Sequence, residues 1–438
     1  MREHIKKAIE KIQSDSDEKP IRVISHYDTD GITAAAIFSR ALQRWNKTFT
    51  LEIVKGLEKE TIESLPDNET LVFLDLASGS LDYLKEKKTE IFVLDHHEIT
   101  GDIPKNVTMI NPILYGTENC SGAAIAYMFA REISAQNTDL ANLAILGMIG
   151  DMFDTNLTRL YEDILKEAQV TIKKGLMIYP ATRPLDKALE YSTGLYIPGV
   201  TGSFRGVTGL LHDAGIARGP NGHKSLAELN EEEMSRLVTA IMLRKLGDND
   251  TTEIIGNLYL LKFFNKVEDA RELSAVINAC SRMGYPEISL GYCLGNKEAK
   301  RSAERIYLSY KQSIAAALKY IEEAEKITGK DYTIINAQDK IKDTIIGTAA
   351  SIMSFSPFYP QGTIIIAMAY DQDKIKISAR LAGRKGRNVR EMLAKVVVPL
   401  AGEVGGHHNA AGGLISREKE SLFIEEVKKV LDTELIKV

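Results

Sequence analysis

The stretch FVLDHHEIT, residues 92–100, ends three apolar residues with Asp95, His96 and His97 side by side. An apolar run of this kind reads as a strand buried on both faces of a sheet. A single buried histidine is commonplace. An adjacent Asp, His and His at a strand end points instead to a metal site. Strands of the same character lie on either side along the chain. IRVIS (21–25) and LVFLDL (71–76) are short β-like runs. GITAAAIFSRALQRW (31–45), SGAAIAYMFAREI (121–133) and LANLAILGMIGDMF (140–153) carry helical patterns. Alternation of strand and helix implies a doubly wound, mostly parallel α/β sheet, whose sites form beyond the carboxyl ends of its strands.

Four acidic clusters fall where the sheet should end, three after strand patterns and the fourth near the end of an apolar helix. ISHYDTDGIT holds His26, Asp28 and Asp30. FLDLASGS holds Asp75. LDHHE holds Asp95, His96 and His97. GMIGDMFD holds Asp151. Singly, each has an ordinary reading as a turn, a cap or a surface acid. Jointly they do not, because carboxylates gathered in a buried place repel one another and lose hydration without a cation. Carboxylate oxygens mixed with imidazole suit Mn²⁺ or Mg²⁺, with Zn²⁺ or Co²⁺ as alternatives. The donors are numerous enough for two ions. Two metals roughly 3.5–4 Å apart are a common device for hydrolysing phosphate esters.

Further along, residues 156–300 read as mainly helical, and 301–330 as a connecting helix. YTIINA (332–337), GTIIIAMAY (362–370) and KIKISARL (374–381) return to strand patterns, so 331–438 forms a smaller α/β domain. There GEVGGHHNAAGG (402–413) combines Gly405 and Gly406 with His407 and His408, offering backbone N–H groups and imidazoles to a phosphate. Ser378 and Arg380, two apart, share a strand face, and Arg suits a phosphate as a bidentate partner.

Composition sets bounds. The chain has 438 residues, 44% hydrophobic and 26% charged, which suits two or three globular domains and not disorder. No apolar stretch approaches a membrane span, and the N-terminus lacks a signal-peptide core, so no membrane partner is expected and the default location is cytoplasmic. Three widely spaced cysteines argue against a disulfide framework. A net charge of −5 leaves any nucleic-acid surface local, and ARLAGRKGRNVR (379–390) is the most basic segment.

The order SHYDTDG, VFLDL, LDHHE, GMIGD and GGHHNAAGG resembles the DHH phosphoesterases with a C-terminal DHH-associated domain, and among them the archaeal RecJ-like nucleases. LYIPGVTGSFRGVTGLLHDAGI (195–216) and ELSAVINACSRMGYPEISLGYCLG (272–295) support the narrower likeness. The resemblance implies a catalytic core over 1–155, with the helical region, connecting helix and substrate-binding domain following. It implies a two-manganese exonuclease specific for single strands, releasing mononucleotides in DNA replication or repair or in RNA turnover. By the family pattern, His26, Asp28 and Asp75 hold one ion, and Asp30, Asp75, His96 and Asp151 the other, with Asp75 bridging. His97 faces the scissile phosphate and Asp95 orients it. Arg380 and His407 contact substrate phosphates, and Asn278 and Arg282 approach the site from one helix face. There is one departure: many DHH enzymes carry a His four residues before the first Asp, where this chain has Ile24. The expected partner is single-stranded DNA or RNA. Two other readings accompany it: a phosphodiesterase for short oligonucleotides or cyclic dinucleotides, and a replication scaffold that binds the GINS complex, as some relatives of RecJ do.

Overall fold

The computed structural model describes residues 1–434 apart from 17–18, 156, 193–194, 196, 221, 246–253, 357 and 384. Five strands, β1 (Ile21–His26), β2 (Phe49–Val54), β3 (Thr70–Leu74), β4 (Ile91–Leu94) and β5 (Val107–Ile110), form a sheet in the order β2-β1-β3-β4-β5. All four pairings are parallel. Each residue of β3 and β4 is buried. Alternate side chains go to opposite layers, as the pleat requires. Val72, Leu74, Phe92 and Leu94 join one apolar core with Ile5, Phe38 and Phe129. Leu71, Phe73, Ile91 and Val93 join another with Ile62, Leu81 and Leu84. Both faces of the sheet are therefore covered, and an apolar run without alternation is the sequence consequence. Strand order reverses between β1 and β3, which opens a crevice beyond their carboxyl ends.

The helix Thr29–Arg44 leaves β1 and is buried along most of its length. It packs against Gly122–Ile133 and Ala141–Gly150. Its small buried side chains, Ala34, Ala35, Ala36 and Ala41, allow close approach on several sides.

The middle region departs from a purely helical expectation. Helices are present, among them Glu231–Arg244 and Ala270–Arg282. A three-stranded antiparallel sheet is also present: β6 (Val170–Leu176), β7 (Ile255–Phe263) and β8 (Lys266–Asp269). β6 pairs with β7 across a long sequence gap, Val170 opposite Leu261. Such pairing leaves no local periodic signature, so short apolar runs remain ambiguous in sequence.

The long helix runs from Lys297 to Glu323, without Gly or Pro. Two compact units divide within it: one holds Met1–Glu190, Val207–Ala240 and Glu253–Tyr307, the other Tyr191–Gly206, Ile241–Thr252 and Leu308–Val438. The second unit contains a six-stranded sheet built from β9 (Ile327–Thr328), β10 (Tyr332–Asn336), β11 (Ile364–Asp371), β12 (Lys374–Leu381), β13 (Glu403–His407) and β14 (Ala410–Ser416), ordered β13-β14-β12-β11-β10-β9. One face buries Ile366, Met368, Ile375 and Ile377 with Met392, Phe423 and Val427 of the following helices. The helix Asp343–Ser354 packs on β11 and β12. Among the described residues no helix is long and apolar enough to cross a membrane.

Candidate metal centre

The first unit gathers the acidic clusters at the crevice beyond β1, β3 and β4. Asp28 caps the helix that follows β1: Gly31 N donates to its Oδ1 at 3.0 Å. That leaves Oδ2 3.1 Å from Nδ1 of His26, the last residue of β1. His26 Nδ1 is also 3.6 Å from Asp75 Oδ2. Ile24, two residues earlier on β1, is buried in the core.

Asp30, in the first helical turn, is fully buried. Its carboxylate meets the N-terminus of the helix Gly122–Ile133, accepting from Gly122 N at 2.5 Å and Ala123 N at 2.9 Å. Unpaired amides and the positive helix end suit a carboxylate there. Asp75 follows β3 with φ 59°, and Ala77 has φ 89°. A non-glycine residue held in the left-handed region costs free energy, and such residues concentrate at sites where the backbone must aim a side chain.

His96 sits at the convergence. Its Nε2 lies 3.1 Å from Asp151 Oδ2, 3.2 Å from Asp75 Oδ1 and 3.7 Å from Asp30 Oδ2. Despite these distances, among the described residues neither nitrogen of His96 and neither oxygen of Asp75 makes a hydrogen bond, and all are buried. Donor atoms converge without the angles of hydrogen bonds. Unsatisfied buried polar atoms are costly, and a cation satisfies them together. Three overlapping groups each have ligand atoms within 4.8 Å of one another: His26, Asp28 and Asp75; Asp30, Asp75, His96 and Asp151; Asp75, Asp95, His96 and His97. Asp75 belongs to all three.

The electrostatics agree. Burial, together with the charges of Asp75 and Asp151, pushes the Asp30 carboxyl well above its ordinary pKa. Burial also raises Asp151. Burial would lower His96, yet the carboxylates of Asp151 and Asp75 lift it well above the usual value. His26 behaves likewise beside Asp28. A pocket that must take up protons to relieve its own repulsion is one that divalent cations fit. The donor set, oxygens with imidazole, suits Mn²⁺ or Mg²⁺. A calorimetric comparison of protein in millimolar MnCl₂ and in chelator should show a melting temperature higher by roughly 5–15 °C with metal, since the native state alone binds it. Equal melting temperatures would contradict the site.

Asp95 is buried beside the cluster. Its Oδ1 accepts from His97 Nδ1 at 2.7 Å, and its Oδ2 accepts from Ser78 N at 2.9 Å. Against the opposing effect of burial, these contacts hold the Asp95 carboxyl well below the ordinary range. His97 itself is half exposed. Ser78, Gly122 and Gly147 were not singled out from sequence. Ser-Gly before an apolar helix was the available signal for the Asp30 cradle. Backbone N–H groups and absent side chains carry little signal of their own.

Asn278 and Arg282 lie on the helix Ala270–Arg282 and bond to each other, Arg282 Nε donating to Asn278 Oδ1 at 3.1 Å. Among the described residues neither hydrogen-bonds to the clustered carboxylates. The helix does reach the site's edge, where Thr29 Oγ1 donates to Ser274 O at 3.0 Å.

In the second unit, Ser378 stands opposite Gly412, which stands opposite Gly405. Arg380 stands opposite Ala410, which stands opposite His407. These residues therefore share a sheet face. Arg380 is preoriented: Nε donates to Ser351 Oγ at 2.8 Å and Nη1 to Ala411 O at 3.2 Å. Gly406 has φ 119°, and a Cβ there would lie 2.5 Å from Ala410 O, so only glycine fits. His407 and His408 are exposed. In the basic segment Lys385 and Arg390 are exposed and Arg387 donates to Leu431 O, while Arg384 lies outside the described residues.

Residues 20–148 match the DHH family, N-terminal domain; 179–258 match the DHH-CID domain; 329–433 match the DHHA1 domain. Uncharacterized protein MJ0831 of Methanocaldococcus jannaschii is 30% identical, over 95% of this chain and 94% of its own. Single-stranded-DNA-specific exonuclease RecJ of Bacillus subtilis is 22% identical over 34% of this chain, which spans 21% of that relative. Exonuclease RecJ bound to manganese superposes over 97% of this chain and 92% of its own, with TM-score 0.57 and 18% identity. CDC45 from Entamoeba histolytica superposes over 98% and 99%, with TM-score 0.66 and 11% identity. At those identities the two structures show a common fold. With DHH, DHH-CID and DHHA1 segments in succession and a homologue matching almost end to end, the chain belongs to the DHH phosphoesterase family.

Proposed function

We propose that the protein is a metal-dependent exonuclease specific for single strands, hydrolysing phosphodiester bonds to release mononucleotides. The observation that carries this reading is the buried, hydrogen-bond-free set of donor atoms on Asp75 and His96. His26, Asp28 and Asp75 would hold one divalent cation, and Asp30, Asp75, His96 and Asp151 a second. Mn²⁺ is the first candidate, Mg²⁺ or Co²⁺ the alternatives. Such cations, when bound, supply Lewis acidity toward a phosphate ester.

The chain's own groups do the rest. Asp95 accepts the Nδ1–H of His97 and favours the protonated ring, whose Nε2–H would face a phosphate oxygen. Ser378, Arg380, Gly405, Gly406, His407 and His408 would bind a substrate phosphate, with the guanidinium already aimed. Asn278 and Arg282 would contact the strand from the first unit. The domain bounds 1–155, 156–300, 301–330 and 331–438 are part of this proposal.

A scaffold that binds the GINS complex is the second reading, favoured by the fold shared with CDC45. The full ligand set favours catalysis, since a scaffold needs no such cluster. The test is end-labelled single-stranded DNA and RNA, with duplex controls, each in Mn²⁺, Mg²⁺ or chelator. Release of mononucleotides from single strands in metal alone is expected. Internal cutting, or no metal-dependent release, would sink the proposal.

A further inference from the structure

At one end of β12 three loops meet. Gly362 N donates to Ala382 O at 2.8 Å, and Gly383 N reaches Ser354 O at 3.4 Å, which ties the segment after the helix Asp343–Ser354 to the basic loop after β12. Leu381 N donates to Asn409 O at 2.9 Å and Val389 N to His408 O at 2.8 Å, which ties the basic loop to the β13–β14 turn. This end therefore holds Arg380 and His407, the half of the sheet read above as phosphate-binding.

Two phenylalanines on the first of these loops are exposed. Phe355 is 63% and Phe358 87% accessible. A lone exposed apolar residue is ordinary. Two aromatic rings three residues apart, on a loop whose Gly362 lies against the backbone of the exposed Lys385, are a different pattern. Each leaves a large apolar face in water, where burial would be favourable. The combination of aromatic faces with cations suits a polyanion that carries flat apolar groups at regular intervals, which single-stranded nucleic acid does. A membrane surface would want a broader apolar patch, and a folded protein partner would not need the adjoining phosphate-binding groups.

We infer that Phe355 and Phe358 form a stacking platform for nucleobases, on which Lys385 holds the intervening backbone, so that the C-terminal domain grips several nucleotides of one strand. The inference rests on the nuclease reading and extends it: the domain recognises bases by their π-faces, without sequence preference, as well as a phosphate.

The experiment uses steady-state kinetics on the full chain with metal. Substrates are a single strand of roughly a dozen nucleotides, an abasic strand of equal length, and a dinucleotide; variants are Phe355→Ala/Phe358→Ala and Phe358→Trp. For the double alanine variant KM on the base-bearing strand should rise at least about tenfold. The dinucleotide and the abasic strand should be cleaved as by wild type, and Phe358→Trp should keep or lower the wild-type KM. An unchanged KM in a wild type that degrades the strand overturns the platform and leaves the nuclease reading intact. An equal rise on the abasic strand overturns stacking. A wild type that degrades no single strand removes the nuclease reading and this inference with it. If KM is unchanged and the double variant instead fails to retain a protein that co-purifies with wild type, the rings serve protein docking and the platform is wrong.

Discussion

Asp75→Asn is expected to lower kcat at least about a thousandfold while leaving the fold in place. Asp75 is common to the three candidate ligand groups among the described residues, and there neither of its oxygens has a hydrogen-bond partner. The amide keeps the shape of the side chain, and asparagine tolerates φ 59° as well as aspartate does. The change therefore removes charge and little else. Without metal, the loss of one of several mutually repelling carboxylates should leave the variant as stable as wild type in chelator, or more so. Its melting temperature should no longer rise with Mn²⁺. Asp75→Ala should be as inactive, and less stable than the asparagine variant by about 1 kcal/mol because alanine resists the left-handed region. An asparagine variant retaining most of its activity would exclude the site as described.

Gly147→Ala should be nearly as damaging by a different route. A Cβ at Gly147 would lie 2.4 Å from Asp30 Oδ1, 2.4 Å from Ala123 Cβ and 2.8 Å from Thr33 Oγ1. None of these can retreat cheaply. The Asp30 carboxylate is pinned by two backbone N–H groups, and Ala123 and Thr33 belong to packed helices. Overpacking of this severity costs about 3 kcal/mol, the upper part of the usual range. A fall in melting temperature of roughly 5 °C follows for a unit of this size. Because the strain passes directly to a proposed ligand, activity should fall together with stability, and excess Mn²⁺ should not restore it. Thermal unfolding and single-strand degradation, measured on one preparation, check both. A variant as stable and active as wild type would mean that the helix Ala141–Gly150 does not lie against Asp30 in this way.

Much of the first unit is legible because its signals are local. A strand buried on both faces has nowhere to place a polar side chain until it ends. The acids and imidazoles after LVFLDL and IFVLD therefore stand out against their surroundings. Asp28 and Asp30 stand out in the same manner, between a strand and a helix. The three strands of the middle region do not, since β6 and β7 find each other across a gap that no local period reports. Asn278 and Arg282 illustrate a second limit: helical spacing places them on one face and says nothing of what that face meets.

By itself the amino-acid order determined the α/β character, the sequence of strand-end acids, and the Gly-His turn near the C-terminus, because each is written in patterns a few residues long. Tertiary structure alone decided that β1 and β3 are neighbours, that the N-terminus of Gly122–Ile133 cradles Asp30, and that His96 stands among three carboxylates. Those facts depend on strand order and on helix packing between segments far apart in the chain. Non-directional burial drives that packing, and the distances it leaves between polar atoms exist only once the chain has closed on itself.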